Sequence, residues 1–126
     1  MKFQPDELAG TNVVTRIEPG CLWVGKQSFT HSLVVPWRGE VHNWQAPRHD
    51  QLTAEHFARL AALKPEVVIF GSGTRLRFPA PALIRSLIEA RIGVETMDTG
   101  AAARTYNVLA AEGRTVVGAF LIEHSL

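Results

Sequence analysis

The sequence predicts a three-layer α/β fold: a central mixed sheet with helices and an additional amino-terminal antiparallel β layer. Three observations predict it. Residues 12–45 alternate β-branched or aromatic runs with turn residues, residues 52–63 have helical periodicity, and the chain from residue 66 onward alternates strands with helices. Of the 126 residues, 46% are hydrophobic and 20% charged, so we expect residues 1–126 to form one globular domain.

The amino-terminal part has the pattern of antiparallel hairpins. Pro19-Gly20 fits a turn, because proline presets φ and glycine tolerates a positive φ. Residues 25–27 and 38–40 are two further candidate turns. The strands are expected at residues 12–17, 21–25, 28–36 and 41–45.

A helix is expected after Pro47. Thr53 has the position of an N-cap, with Leu52 and Phe57 placed to form a hydrophobic staple. Pro65 ends this helix. The apolar residues on its buried face are Phe57, Leu60, Ala61 and Leu63.

A parallel βαβ unit is expected next. Residues 67–70 are uninterrupted apolar sequence, which is typical of a central parallel strand covered on both faces. A helix over residues 81–91 has the length of a crossover to a strand over residues 94–98, so a right-handed parallel connection is expected.

The last helix and strand complete the predicted sheet. The helix spans residues 99–111 with Thr99 as its N-cap, and Gly113 has the position of a left-handed C-terminal residue. Because this exit is tight, the final strand, over residues 115–122, is expected to enter the sheet antiparallel.

Composition excludes several classes of protein. Thirteen Lys and Arg against twelve Asp and Glu leave a formal net charge of +1, which disfavours nucleic-acid binding. The single cysteine, Cys21, lies in an apolar run and is interpreted as a packed thiol, and one cysteine indicates a reducing compartment. Residues 1–7 resemble no export or transit signal, and residues 116–122 fall short of the roughly 20 that span a bilayer. We therefore expect a cytoplasmic protein that is not itself transmembrane.

The histidines do not predict a metal site. His42, His49 and His56 are spaced by sevens, but Pro47 and the change from strand to helix break any common helical face. Neither a metal nor a cofactor is expected.

The most informative local feature is the glycine loop, Gly71-Ser72-Gly73-Thr74, at the end of the central strand. It lacks the third glycine of a dinucleotide fingerprint, the flanking glycines of a nucleophile elbow and the Lys-Ser/Thr pair of a phosphate loop. Its amides, with Arg75 and Arg77 nearby, could bind a small anion or a carboxylate. The other interpretation is a tight turn without a ligand.

The helix that begins at Thr99 follows the neighbouring strand, so its positive end is expected to face the same crevice. Asp98, at that strand end, is a candidate general base. The alternative for Arg104, Tyr106 and Asn107 is structural: an arginine paired with a carboxylate, and polar side chains bonded to buried backbone. The predicted crevice consists of Gly71, Ser72, Gly73, Thr74, Arg75, Asp98, Thr99, Gly100 and Arg104.

Several segments together resemble a known family. They are residues 65–74, 93–99, Ala102, 105–109 and 112–114. The chain is similar there to the uncharacterised α/β domain family that includes mitochondrial complex I assembly factor 3 and the adipogenesis-associated single-domain proteins. The resemblance implies a three-layer α/β fold and transfers no catalytic residue. It also implies adaptor or chaperone-like work on a protein partner, such as a membrane complex or its assembly intermediates.

Two functions follow. The first is a noncatalytic interaction domain that acts in the assembly of a larger complex. The second is a small-molecule or anion-binding enzyme or sensor that uses the crevice. No general base with clear geometry accompanies Ser72 or Thr74, which favours the first function.

Overall fold

The computed structural model describes residues 10–124, which form two β-sheets and three α-helices. The strands are β1 (Val14–Glu18), β2 (Cys21–Val24), β3 (Gln27–Phe29), β4 (Leu33–Pro36), β5 (His42–Asn43), β6 (Val67–Gly71), β7 (Gly93–Met97) and β8 (Val116–Phe120). The helices are α1 (Ala54–Ala61), α2 (Arg85–Glu89) and α3 (Thr99–Ala111), with 3-10 turns at His49–Gln51 and Pro81–Ile84. The small sheet has the order β1-β2-β3 and the large sheet β5-β4-β8-β6-β7.

The large sheet is mixed, as the sequence predicts. β6 pairs parallel with both β7 and β8, and β8 pairs antiparallel with β4 on its other side. The prediction that the last strand enters antiparallel is therefore wrong relative to β6. After Gly113, whose φ is +83°, the chain returns beside the start of β6, and the Glu66 N–H donates to the Thr115 carbonyl oxygen at 2.9 Å. Since β6 and β8 begin at the same end of the sheet, they run parallel.

The sheet is covered on both faces because β6 alternates its side chains between two cores. Val67 and Ile69 pack in the core that α3 and the small sheet complete, whereas Val68 and Phe70 pack in the core beneath α1 and α2. Each of these four side chains is buried. The three-layer architecture with an extra β layer is thereby confirmed.

The strand expected at residues 28–36 is two strands in different sheets. Residues 30–32 separate β3 from β4, and the buried Ser32 interrupts the run. Its hydroxyl donates to the Ala46 carbonyl oxygen at 2.7 Å and accepts the Ile122 N–H at 2.9 Å. These bonds hold the chain where it crosses from the small sheet to the large one.

The first helix starts where the sequence predicts, whereas the second is shorter than predicted. Thr53 caps α1 as predicted: its N–H donates to His56 Nδ1 at 2.9 Å, and its hydroxyl accepts the His56 N–H. The helix expected over residues 81–91 is instead a 3-10 turn followed by the short helix α2, with Pro81 at the first position of the turn. Within residues 10–124, no helix is both long and apolar enough to cross a membrane.

Candidate functional site

The crevice lies where the carboxyl ends of β6, β7 and β8 meet. The glycine loop follows β6, α3 begins just after β7, and residues 121–123 follow β8. Together with the β1–β2 turn they line an open cavity of about 210 Å³. Its lining residues are Ile17, Gly20, Gly73, Thr74, Asp98, Thr99, Gly100, Leu121, Ile122 and Glu123.

Five of the nine predicted residues line this cavity: Gly73, Thr74, Asp98, Thr99 and Gly100. The other four do not. Gly71 and Ser72 are fully buried, and Arg75 and Arg104 are exposed outside the lining.

Gly71 allows α3 to approach the sheet closely. A Cβ at this position would lie 2.9 Å from the Thr99 Cα and 3.2 Å from the Ala102 Cβ. The sequence predicts a conformation closed to other residues at both Gly71 and Gly73. Only Gly73 has a positive φ, of +104°, so at Gly71 the restriction is steric.

The Ser72 hydroxyl is occupied by the loop itself. It is buried, donates to the Arg75 carbonyl oxygen at 2.7 Å, and accepts the Arg77 N–H at 3.0 Å. The Met97 carbonyl oxygen lies 3.1 Å away. These contacts fix the course of the loop after β6, and none of them is to a side chain that could act as a general base.

Thr99 joins the glycine loop to the start of α3. Its hydroxyl donates to the Leu121 carbonyl oxygen at 2.8 Å and accepts the Gly73 N–H at 2.9 Å, while its own N–H donates to the Gly73 carbonyl oxygen at 2.8 Å. The prediction that Thr99 is the N-cap is wrong, because its side chain serves the loop. Asp98 is the N-cap, and its Oδ1 accepts the Ala101 N–H at 2.9 Å.

An ion pair that sequence reasoning missed borders the crevice. Arg77 Nη2 lies 2.5 Å from Glu123 Oε1 and also donates to the Ser72 carbonyl oxygen at 2.8 Å. The other oxygen of Glu123 accepts the His49 N–H at 2.7 Å. Glu123 belongs to no local motif, and its only signal in the sequence is its place just beyond the last strand.

The charges of the crevice differ from those the sequence predicts. Asp98 and Glu123 contribute carboxylates to the lining, and among the described lining residues there is no lysine or arginine. The Gly73 N–H, a predicted anion donor, is already bonded to Thr99. Anion binding at this crevice therefore stays a prediction of the ligand-binding interpretation alone, and the crevice has fewer available donors than that interpretation expects.

Two polar residues of α3, Tyr106 and Asn107, have structural roles. The Tyr106 hydroxyl lies 3.0 Å from the carbonyl oxygens of both Asn12 and Pro36, and its burial raises its pKa. Asn107 bonds the backbone of Val14. The structural interpretation is confirmed for Tyr106 and Asn107 but not for Arg104, which pairs with no carboxylate in residues 10–124.

In the part of the chain that the structure describes, no three His, Cys, Asp or Glu side chains are grouped so that they could hold a metal ion. Cys21 is a half-buried free thiol.

Comparison with known proteins gives the same picture of the fold. The profile of the family described as "Protein of unknown function (DUF498/DUF598)" matches residues 14–121. A crystal structure of a Bordetella parapertussis protein is 40% identical, covers 90% of this chain and 97% of that chain, and superposes with a TM-score of 0.86. A solution structure of a Bordetella pertussis protein, described as a Mth938-like domain, is 34% identical, covers 97% and 92% of the two chains, and has a TM-score of 0.83.

A curated relative carries a functional name. The Mus musculus protein named "NADH dehydrogenase [ubiquinone] 1 alpha subcomplex assembly factor 3" is 36% identical over 100 residues, which cover 78% of this chain and 52% of the relative. The chain thus spans about half the length of that relative. These matches confirm the family resemblance that the segments between residues 65 and 114 indicate.

Proposed function

We propose that this chain, which belongs to the DUF498/DUF598 family, is a noncatalytic assembly factor that binds a protein partner. The observation that supports the proposal most is the 36% identity to a mouse protein named as an assembly factor of NADH dehydrogenase. By this analogy, the partners are subunits or intermediates of a membrane complex related to that dehydrogenase. We place this activity in the cytoplasm, where the free Cys21 thiol stays reduced.

The geometry of the crevice supports a noncatalytic role. The Ser72 hydroxyl is bonded to backbone groups of Arg75 and Arg77, and an oxygen of Asp98 is bonded to the start of α3. A nucleophile needs a base within hydrogen-bond reach, and within residues 10–124 the Ser72 hydroxyl bonds only backbone groups. These side chains stabilise the loop and the helix.

The test is to delete the gene and to measure the amounts of complete and partly assembled NADH dehydrogenase in the host on native gels. We expect the complete enzyme to decrease and partial assemblies to accumulate, and the wild-type gene to reverse both effects. A tagged copy should co-purify with subunits of the partial assemblies. Unchanged levels of complete enzyme in the deletion strain would overturn the proposal.

The second function, a ligand-binding enzyme or sensor, is kept because the 210 Å³ cavity gathers five of the predicted residues. Two variants separate it from the first. Thr74→Ala removes an exposed hydroxyl of the lining, and Asp98→Asn keeps the helix cap while removing the carboxylate. An assembly factor should tolerate both in the complementation assay. A catalytic crevice would lose function by orders of magnitude in at least one variant that still folds.

A further inference from the structure

Two large apolar side chains stand out on the surface directly after the glycine loop. Phe78 is 68% exposed and Leu76 is 52% exposed. Phe78 has the largest exposed fraction of the six exposed large hydrophobic residues in the described chain. Apolar side chains this exposed contribute little to the stability of the fold. Neighbouring exposed apolar groups on a surface loop are typical of interaction sites.

Arg77, the residue between these two side chains, is held by hydrogen bonds. Arg77 points inward: its N–H bonds the Ser72 hydroxyl, and its guanidinium bonds the Ser72 carbonyl oxygen and Glu123. Its side chain is 28% exposed. Arg77 is therefore bonded within the loop, whereas its two neighbours, Leu76 and Phe78, are exposed to solvent. The buried Pro79 restricts the backbone immediately after them.

The sequence around this ridge, defined as residues 75–78, is cationic. Residues 72–88 contain Arg75, Arg77 and Arg85 and no aspartate or glutamate. Arg75 and Arg85 are exposed, and neither forms an ion pair with another residue in the range 10–124. The ridge thus offers two exposed apolar side chains and, beside them in the sequence, the exposed Arg75, whose guanidinium is available for a partner's carboxylate.

We propose that the ridge is the docking site for the protein partner, and that it inserts Leu76 and Phe78 into an apolar groove rimmed by carboxylates. This inference rests on the proposed function and names the surface that performs it. The bonds of Ser72 and Arg77 already order the loop, so docking costs less conformational entropy than ordering a free segment would, which favours a shaped protein groove. A membrane surface is disfavoured, because stable interfacial binding needs a larger apolar face or a polybasic cluster than two side chains and two exposed arginines provide.

The experiment introduces a photo-crosslinking phenylalanine analogue at Phe78 in the full chain in its host cell, with the same analogue at Val108 as the matched control. Val108 is 57% exposed, on α3 rather than on the loop. We expect a defined adduct with one other protein from position 78 and none from position 108. The crosslinked peptide of that protein should contain apolar residues beside aspartate or glutamate.

Charge and side-chain variants then test the chemistry. Phe78→Ser and Arg75→Glu should each lower co-purification of the identified partner about tenfold, whereas Val108→Ser should leave it unchanged. Replacing the partner's crosslinked carboxylate with lysine should restore binding to Arg75→Glu. Because these side chains are exposed, melting temperatures should match the wild type, and circular dichroism checks that each variant is folded.

The outcomes separate this inference from the proposed function. A partner that still co-purifies with Phe78→Ser and crosslinks from position 108 would overturn the proposal that the ridge is the docking site. The proposed assembly role would be unaffected. Normal dehydrogenase assembly in the deletion strain would overturn the assembly role itself. An adduct between two copies of this chain would overturn the docking proposal. So would Phe78-dependent sedimentation with vesicles of equal parts phosphatidylcholine and phosphatidylglycerol in the absence of any adduct.

Discussion

The side-chain amide of Asn107 pairs with both backbone groups of Val14. Asn107 Nδ2 donates to the Val14 carbonyl oxygen at 2.8 Å, and Oδ1 accepts the Val14 N–H at 2.9 Å. Val14 is the first residue of β1, an edge strand of the small sheet. Asn107 therefore occupies the place of a neighbouring strand, and it fastens the amino-terminal layer to α3.

Asn107→Ala should destabilise the protein by about 1–3 kcal/mol, because it leaves two half-buried backbone groups without their partners. Urea unfolding measures the loss. The control is Val108→Ala on the same helix, where an exposed side chain is shortened and little change is expected. Equal stabilities of the two variants would contradict the structural role of Asn107.

Gly71→Ala should cost about 1–3 kcal/mol, because the new methyl group would meet the α3 backbone at Thr99 Cα, 2.9 Å away. Gly93→Ala is the matched control. Gly93 also lies in a strand without a positive φ, and its nearest contact would be an ordinary 3.6 Å. Thermal unfolding of both variants tests the steric explanation, which fails if Gly71→Ala is as stable as Gly93→Ala.

Glu66→Gln should reduce the dependence of stability on acid pH. The Thr115 backbone N–H, followed by the Arg114 guanidinium, lowers the pKa of Glu66 below its ordinary value of 4.5. A lowered pKa in the folded state means that the contribution of Glu66 is present above pH 4.5 and is lost as pH falls through the folded pKa.

Denaturant titrations at neutral and acid pH measure this effect. The wild type should lose more stability on acidification than Glu66→Gln does. Glu40→Gln, at an exposed glutamate without an ion pair in residues 10–124, serves as control and should follow the wild type. Parallel pH profiles for wild type and Glu66→Gln would refute the assignment.

Phosphate should leave the amide NMR signals of the crevice unchanged at physiological concentrations. The Gly73 N–H is bonded to Thr99, and the Gly100 position lies beside the Asp98 carboxylate, which repels an anion. Saturable shifts at Gly73, Thr74 and Gly100, absent from β3 residues, would instead support the ligand-binding function. Asp98→Asn should enhance any such response, because it removes one negative charge from the lining.

The elements were largely predictable because their signals are local. The apolar run at residues 67–70 identifies a strand buried on both faces, and the Thr53 capping box identifies the start of α1. The glycine loop and the start of α3 could be assigned to one crevice because parallel strands end at the same sheet edge. The direction of β8 relative to β6 was not predictable from the same kind of signal. It depends on where the chain returns after Gly113, beside Glu66, nearly fifty residues earlier.

Local sequence was enough to predict most strands and helices, the burial of β6 on both faces and five of the residues that line the crevice, since side-chain periodicity and turn chemistry act over a few residues. How the polar groups at the crevice are used depends on contacts between distant parts of the chain. Ser72 bonds the Met97 carbonyl oxygen at the end of β7, and Thr99 and Arg77 bond residues that follow β8. These bonds occupy groups that could have served a ligand. Arg77 between the exposed Leu76 and Phe78 is likewise bonded to Glu123, and no local pattern reveals such a contact because it joins residues far apart in the sequence.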